Sequence, residues 1–93
     1  MIRTFADKRT ASVAERKSPK GFPADLVSSA FRRLRQIDAA TDLNDLRVPP
    51  GNSLEALKGD RKGQRSIRIN GQWRICFRWK DGGADDVEIV DYH

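Results

Sequence analysis

The sequence predicts an α+β fold, helices first and antiparallel strands last, in one domain spanning residues 1–93. Three observations carry this. Apolar side chains recur at helical spacing between residues 26 and 37, and the period becomes two after residue 65. Two turn signals, Asn70-Gly71 and KDGGA, then cut the second region into pieces of strand length.

The elements follow in chain order. MIRTF reads as a short opening strand. Residues 6–17 read as a short helix whose thin apolar side is Ala11, Val13 and Ala14, and SPKGFP ends it with two prolines and a glycine. The second helix has the stronger pattern. Pro23 suits its first turn and Asp25 lies near the positive end of its dipole. Leu26, Ala30, Leu34 and Ile37 form a stripe that Val27 and Phe31 widen. Arg32, Arg33 and Arg35 fall largely off that stripe and read as a solvated face first and a binding surface second. AATDLNDL continues as a turn or short helical piece, and VPPGNS, residues 48–53, is a loop by composition.

The strands are set by alternation. In RSIRIN, Ile67 and Ile69 face one way while Ser66 and Arg68 face the other. In QWRICFRW, Trp73, Ile75, Phe77 and Trp79 share the apolar face, and Arg74, Cys76 and Arg78 share the polar one. A strict two-residue turn at Asn70-Gly71 would pair Ile69 with Gln72 and put both isoleucines among the arginines. A three-residue loop, Asn70 to Gln72, pairs Ile69 with Trp73 and joins the apolar faces. Burial decides register, so the longer loop is expected. After KDGGA, DVEIVDY pairs back on QWRICFRW as a meander.

Composition narrows the setting. A chain of 93 residues is near the lower end of what folds alone, so a partner that binds the folded form adds to its stability. The single cysteine, Cys76, excludes an internal disulfide and a Cys-rich zinc site, and fits a reducing cytosol. No apolar run approaches the ~20 residues that span a bilayer. MIRTFADKRT lacks the apolar core of a signal peptide, so a cytoplasmic protein without membrane association is expected.

Charge is the first functional hint. Lys and Arg number 18 against 13 Asp and Glu, a net +5. Residues 54–80 hold Lys58, Arg61, Lys62, Arg65, Arg68, Arg74, Arg78 and Lys80 against only Glu55 and Asp60, whereas the tail from Asp81 onward has no Lys or Arg. A basic segment of that density suits a polyanion, most often nucleic acid; its plainer reading is a solvated face that keeps the protein soluble.

In the expected register Arg68 and Arg74 converge on the polar face, with Arg78 further along. Arginine offers a planar fork for phosphate oxygens. Lys58 precedes Gly59 just before the hairpin, and the chain ends in Asp91, Tyr92 and His93, the only histidine. This set fits attack of an RNA 2′-hydroxyl on its own phosphate. That reaction needs a base, an acid for the 5′-oxygen, and cations for the charge gathering on phosphorus. Asp91 or His93 would serve as base and acid, Arg74 and Lys58 as cations, and Tyr92 as a platform for an unpaired base. No metal or cofactor is required, and the sequence offers no convincing ligand cluster. Taken singly, each residue has a plainer reading as a surface charge, a cross-sheet ion pair, a core cap or a frayed end.

From Leu54 onward, LEALKGDRKGQRSIRINGQWRICFRWKDGGADDVEIVDYH resembles the HigB-type toxins of the RelE/ParE superfamily, with LKGDR, SIRIN, QWRICF and VEIVDYH in matching order and spacing. The first fifty or so residues are similar only in the IR-F opening and the two-helix layout. The resemblance implies a RelE/ParE-like fold, two N-terminal helices packed on a small antiparallel β-sheet, and a toxin that enters the ribosomal A site and cuts mRNA there. It implies a HigA-type helix-turn-helix antitoxin as partner, with operator DNA reached only through the antitoxin complex. Carried over, Lys58 and Arg74 match the phosphate-side cations, and Asp91, Tyr92 and His93 the catalytic tail, with Arg61, Arg65, Arg68 and Arg78 left to bind RNA. Two positions depart from some members: Glu55 stands where they have a histidine, and Arg65 where they have an aromatic residue. Two rivals of other classes are a non-enzymatic gyrase inhibitor like the ParE branch, which lacks the acid-base tail, and an RNA- or ribosome-binding module with an inert tail.

Overall fold

In the computed structural model, which describes residues 1–48 and 50–92, the helical patterns become α1 (Lys8–Ala14) and α2 (Val27–Ala39). Asp7 starts α1 by accepting the Thr10 N–H at 2.8 Å. A 3-10 turn at Ala24–Leu26 leads into α2, whose buried side is Val27, Ala30, Leu34 and Ile37. AATDLNDL becomes a 3-10 turn at Leu43–Arg47, closed by a reciprocal cap between Asp42 and Asp45. Among the described residues no helix is long and apolar enough to cross a membrane.

Four antiparallel strands follow in sheet order: β1 (Glu55–Ala56), β2 (Arg65–Arg68), β3 (Trp73–Lys80) and β4 (Gly83–Asp91). Strand β1 was not expected, because two residues carry no period. The β2–β3 register is the one that burial demands: Ile67 faces Ile75 and Arg68 faces Arg74. The Ile69 N–H donates to the Trp73 carbonyl at 2.9 Å. Asn70 holds the three-residue loop, its side-chain oxygen accepting the Gln72 and Trp73 N–H groups, both at 2.8 Å.

Strand β4 starts earlier than the sequence suggested. Asp81-Gly82, both with positive φ, make a two-residue turn, and Gly83 already pairs with Lys80. Between the pairs Arg78–Asp85 and Cys76–Glu88 the register shifts, so that Asp86 and Val87 oppose Phe77 alone. Asp86 takes the left-handed conformation there, at φ 54°. The extra residue resets the alternation, which is why Ala84 and Val87, an odd number apart, are both buried.

Strand β4 is an edge, and its outer side is closed by the N-terminus. MIRTF is not a paired strand of its own; it runs parallel to β4 through single bridges at Ile2–Ala84 and Phe5–Val87. Further along, Thr10 accepts the Ile89 N–H at 2.9 Å and Arg9 donates to the Ile89 carbonyl at 2.8 Å. Side chains from α1 thus finish what the opening segment begins, leaving no inviting edge along this stretch.

The core lies between the helices and one sheet face, with Leu34, Ile37, Ile67, Ile75, Phe77, Val87 and Ile89 at or near zero exposure. Each such side chain stabilises the fold by ~1.5–3 kcal/mol relative to exposure. The other face is covered only in its middle. Leu57 is buried there, and Arg61 reaches Glu88 at 3.2 Å. Asn52, also buried, donates to the Leu46 carbonyl at 3.2 Å and to Gln36 at 3.0 Å, fixing the loop ahead of β1. Under this cover Ser66 and Cys76 are fully buried, and burial pushes the Cys76 thiol up, away from reactivity.

Candidate active site

The uncovered end of the second face holds a cleft of about 350 Å³. Its walls are Ser53, Glu55, Arg68, Asn70, Gly71, Arg74 and Tyr92. Three of the side chains singled out in the sequence therefore meet: Arg68, Arg74 and Tyr92. Alternation places them there. Arg68 and Arg74 are directly paired across β2 and β3, and Val90 pairs with Arg74 from β4, so Tyr92, two residues on, returns to the same face.

Two cations set face to face need fixed positions. Arg74 is held by three hydrogen bonds: Nε donates to Ser66 Oγ at 2.8 Å, and Nη2 donates to the Ser53 carbonyl at 2.6 Å and the Ser66 carbonyl at 3.4 Å. Ser53 sits at φ 45°, a strained turn that aims its carbonyl at the guanidinium. The strand carrying Arg68 is held from α2, where Arg33 Nε donates to the Arg68 carbonyl at 2.6 Å. Arg33 thus has a use that its place off the apolar stripe did not suggest. Tyr92 is anchored through its backbone, its N–H donating to the Gln72 carbonyl at 2.7 Å, while its ring stays exposed.

The remaining candidates lie elsewhere. Asp91 pairs with Trp73 and alternates with Tyr92, so it belongs to the opposite face; Gln72 Nε2 donates to it at 3.2 Å. Lys58 is exposed ahead of the 3-10 turn Gly59–Arg61 and does not line the cleft. Gly59 serves that turn through its positive φ of 64°; nothing approaches within 4 Å of where a Cβ would stand, so no close neighbour requires it. Arg61 turns inward to Glu88, and Arg78 pairs with Asp86 at 3.6 Å. Arg65 pairs with Phe77 and so shares the parity of the core face. His93 lies outside the described residues.

Sequence reasoning passed over the two serines that hold Arg74. Alternation had already put Ser66 beside Arg68, but a small hydroxyl carries no signal of what it binds. Ser53 acts through its carbonyl, which no side-chain pattern reveals. Glu55 was visible only as a departure from the resembled motif, and the fold makes it a wall of the cleft.

Comparison with known proteins supplies independent observations. Residues 3–93 match the family model described as the RelE-like toxin of type II toxin-antitoxin system HigB. The chain is similar to Endoribonuclease HigB of Proteus vulgaris, at 37% identity over 93 residues and the full length of both chains. It is 48% identical over 62 residues to Toxin HigB-1 of Vibrio cholerae, covering 67% of this chain and 65% of that protein. Among solved structures, the YoeB-YefM complex from Staphylococcus aureus superposes with a TM-score of 0.62 at 18% identity, over 100% of this chain and 98% of that one. A YafQ variant from E. coli superposes with a TM-score of 0.58 at 13% identity, over 98% and 93%. At those identities the likeness is one of fold.

Proposed function

This chain belongs to the HigB-like family of RelE-like toxins of type II toxin-antitoxin systems, and on that premise we propose that it is a ribosome-dependent endoribonuclease. As a single toxin domain it cuts mRNA in the ribosomal A site, in the cytoplasm, until a HigA-type helix-turn-helix antitoxin neutralises it. It meets operator DNA only through the antitoxin complex. The observation that carries this reading is the pairing of Arg68 with Arg74 at the mouth of a cleft that Tyr92 also lines.

The chemistry follows from the arrangement. The 2′-oxygen attacks the adjacent phosphorus and the bond to the 5′-oxygen breaks, leaving a cyclic phosphate and a 5′-hydroxyl. Negative charge gathers on the non-bridging oxygens as this happens. Arg74, already fixed by Ser53 and Ser66, meets that charge with little reorganisation, which is where electrostatic catalysis gains most. Arg68 receives a neighbouring phosphate, and Tyr92 stacks on an unpaired base. Lys58 is the second transition-state cation, Arg61, Arg65 and Arg78 extend the RNA-binding surface, and Asp91 and His93 supply acid-base work from the tail. The ribosome holds the mRNA in line and so provides positioning that a cleft this open does not.

The test compares protein-free RNA with mRNA on programmed ribosomes at catalytic enzyme concentrations, mapping ends by primer extension. Cuts within the A-site codon, with little cleavage of protein-free RNA, are expected. Rapid sequence-selective cleavage of protein-free RNA would overturn the ribosome dependence, and arrested growth with intact mRNA would overturn the nuclease reading.

A further inference from the structure

We propose that Arg9 is a positioning residue of this nuclease: from α1 it sets the end of β4, and so the place from which Asp91 and Tyr92 work. The inference rests on the nuclease reading above and on the role given there to the tail. The opening segment runs along β4 as far as Val87, whose carbonyl accepts the Ala6 N–H at 2.9 Å. Past that point the chain has turned into α1, whose backbone bonds run within the helix. Two consecutive side chains take over. Thr10 Oγ1 accepts the Ile89 N–H at 2.9 Å, and Arg9 Nη2 donates to the Ile89 carbonyl at 2.8 Å. One residue of β4 is thus gripped at both polar groups, as a neighbouring strand would grip it. Asp91 and Tyr92 follow two and three residues later.

The same guanidinium reaches the neighbouring strand. It lies over the Trp73 ring, 5.4 Å from the centroid. Trp73 pairs directly with Asp91 across β3 and β4, and Phe22 meets its ring edge-on at 5.0 Å. Gln72, next to Trp73, accepts the Tyr92 N–H. Arg9 therefore touches both strands where the tail leaves the sheet, β4 through Ile89 and β3 through Trp73. Stability alone does not account for this joint. Arg9 Nε and Trp73 Nε1 are both buried, and among the described residues neither nitrogen donates a hydrogen bond. A buried donor without an acceptor destabilises a fold, and an apolar side chain in place of Arg9 would remove one of the two. Holding two strands in fixed relation does call for a guanidinium, because a planar cation stacks and donates at once.

The experiment is single-turnover cleavage on programmed ribosomes over a series of toxin concentrations, which separates the maximal rate from half-saturation. Arg9→Met keeps an apolar stem over Trp73 and removes the donor. It should lower the maximal rate by ~10²-fold, the effect of a misplacement of about 1 Å. Half-saturation should stay unchanged, because Arg68 and Arg74 remain in place. The melting temperature should move by no more than ~4–8 °C, the worth of one hydrogen bond. Arg9→Lys, which retains a cation and a donor, should recover part of the rate. In a full-length chain carrying Asp91→Ala and Tyr92→Ala, Arg9→Met should bring no further loss, since the groups it places are gone. An unaltered rate in Arg9→Met overturns the assignment, and so does an equal loss in both backgrounds, which marks a structural role. If Arg9→Met does not fold, the same comparison is made with Arg9→Lys: a loss confined to the chain with its native tail supports the assignment, and any other result overturns it. Full activity of the Asp91→Ala, Tyr92→Ala chain would remove the tail from the mechanism, and inactivity of the unaltered protein on ribosomes would overturn the nuclease reading itself; this assignment falls with either.

Discussion

On the helix side of the sheet, Ile67, Ile75, Phe77, Val87 and Ile89 are sealed from water; on the other side Ser66 and Cys76 are equally buried, yet Arg68 and Tyr92 emerge at the rim. The same three strands build both faces. What differs is the cover. Two helices close the first face completely, while one loop, pinned by Asn52 and by the Arg61–Glu88 pair, closes only the middle of the second. Burial on the first face fixes the register, and that register brings like charges together on the second. The repulsion between Arg68 and Arg74 is thus tolerated because slipping the strands would expose the core. Stability is concentrated on one side, and the capacity to bind an anion on the other.

Breaking the first face should have the largest effect. Phe77→Ala deletes a fully buried ring opposite the bulge in β4, and a loss of ~3–5 kcal/mol is expected in chemical denaturation. For a domain of this size that is most or all of its stability, so activity falls with the fold. Retention of a native melting curve would mean that the helix-side face is not the keystone described above.

Trimming the second face at its far end should separate function from fold. A chain stopped after Val90 loses Tyr92 from the cleft and the one backbone hydrogen bond from its N–H to Gln72, a cost of about 1 kcal/mol, and Asp91 from the end of β4. It should fold and still bind its antitoxin in a pull-down, with cleavage on programmed ribosomes reduced by ~10²–10⁴. Removing His93 alone should produce a loss within the same range. Full activity without the tail would exclude it from the mechanism.

Arg74→Ala sits between the two faces in kind. It should reduce cleavage by ~10²–10³, the worth of one preorganised donor. From its place on the polar face the sequence suggests almost no structural cost. The hydrogen bonds to Ser53 and Ser66 raise that expectation to about 1–2 kcal/mol, read as a modest fall in melting temperature. Arg74→Lys should recover only part of the activity, because an ammonium cannot hold both serines and a phosphate at once. Full activity of Arg74→Ala would remove the phosphate role.

The smallest effect is expected at the N-terminal seam. The Arg3 hydrogen bond holds the Asp85 carboxyl below its ordinary range. A depressed carboxyl stabilises the folded state at neutral pH, and that contribution fades as the pH falls below about 4 and Asp85 takes up a proton. Asp85→Asn should therefore lower the melting temperature slightly at pH 7 and flatten its decline in acid. An unchanged acid limb would show that the seam carries no pH dependence.

Much of this molecule was legible before any coordinates. The stripe of α2, the alternation of β2 and β3 and the three-residue loop all follow from where apolar side chains must go, which is a local and periodic property of the sequence. Those rules even predicted that Arg68 would face Arg74. What the sequence could not show was decided by contacts between distant segments. The two residues of β1 have no period and become a strand only by pairing with β2. Asp86 resets the alternation only because β3 lies opposite. Ser53 grips Arg74 through a carbonyl that every residue possesses. Glu55 was one acid in a basic stretch until the strand it occupies was laid beside Ser66, because only tertiary structure determines which unpatterned groups become neighbours.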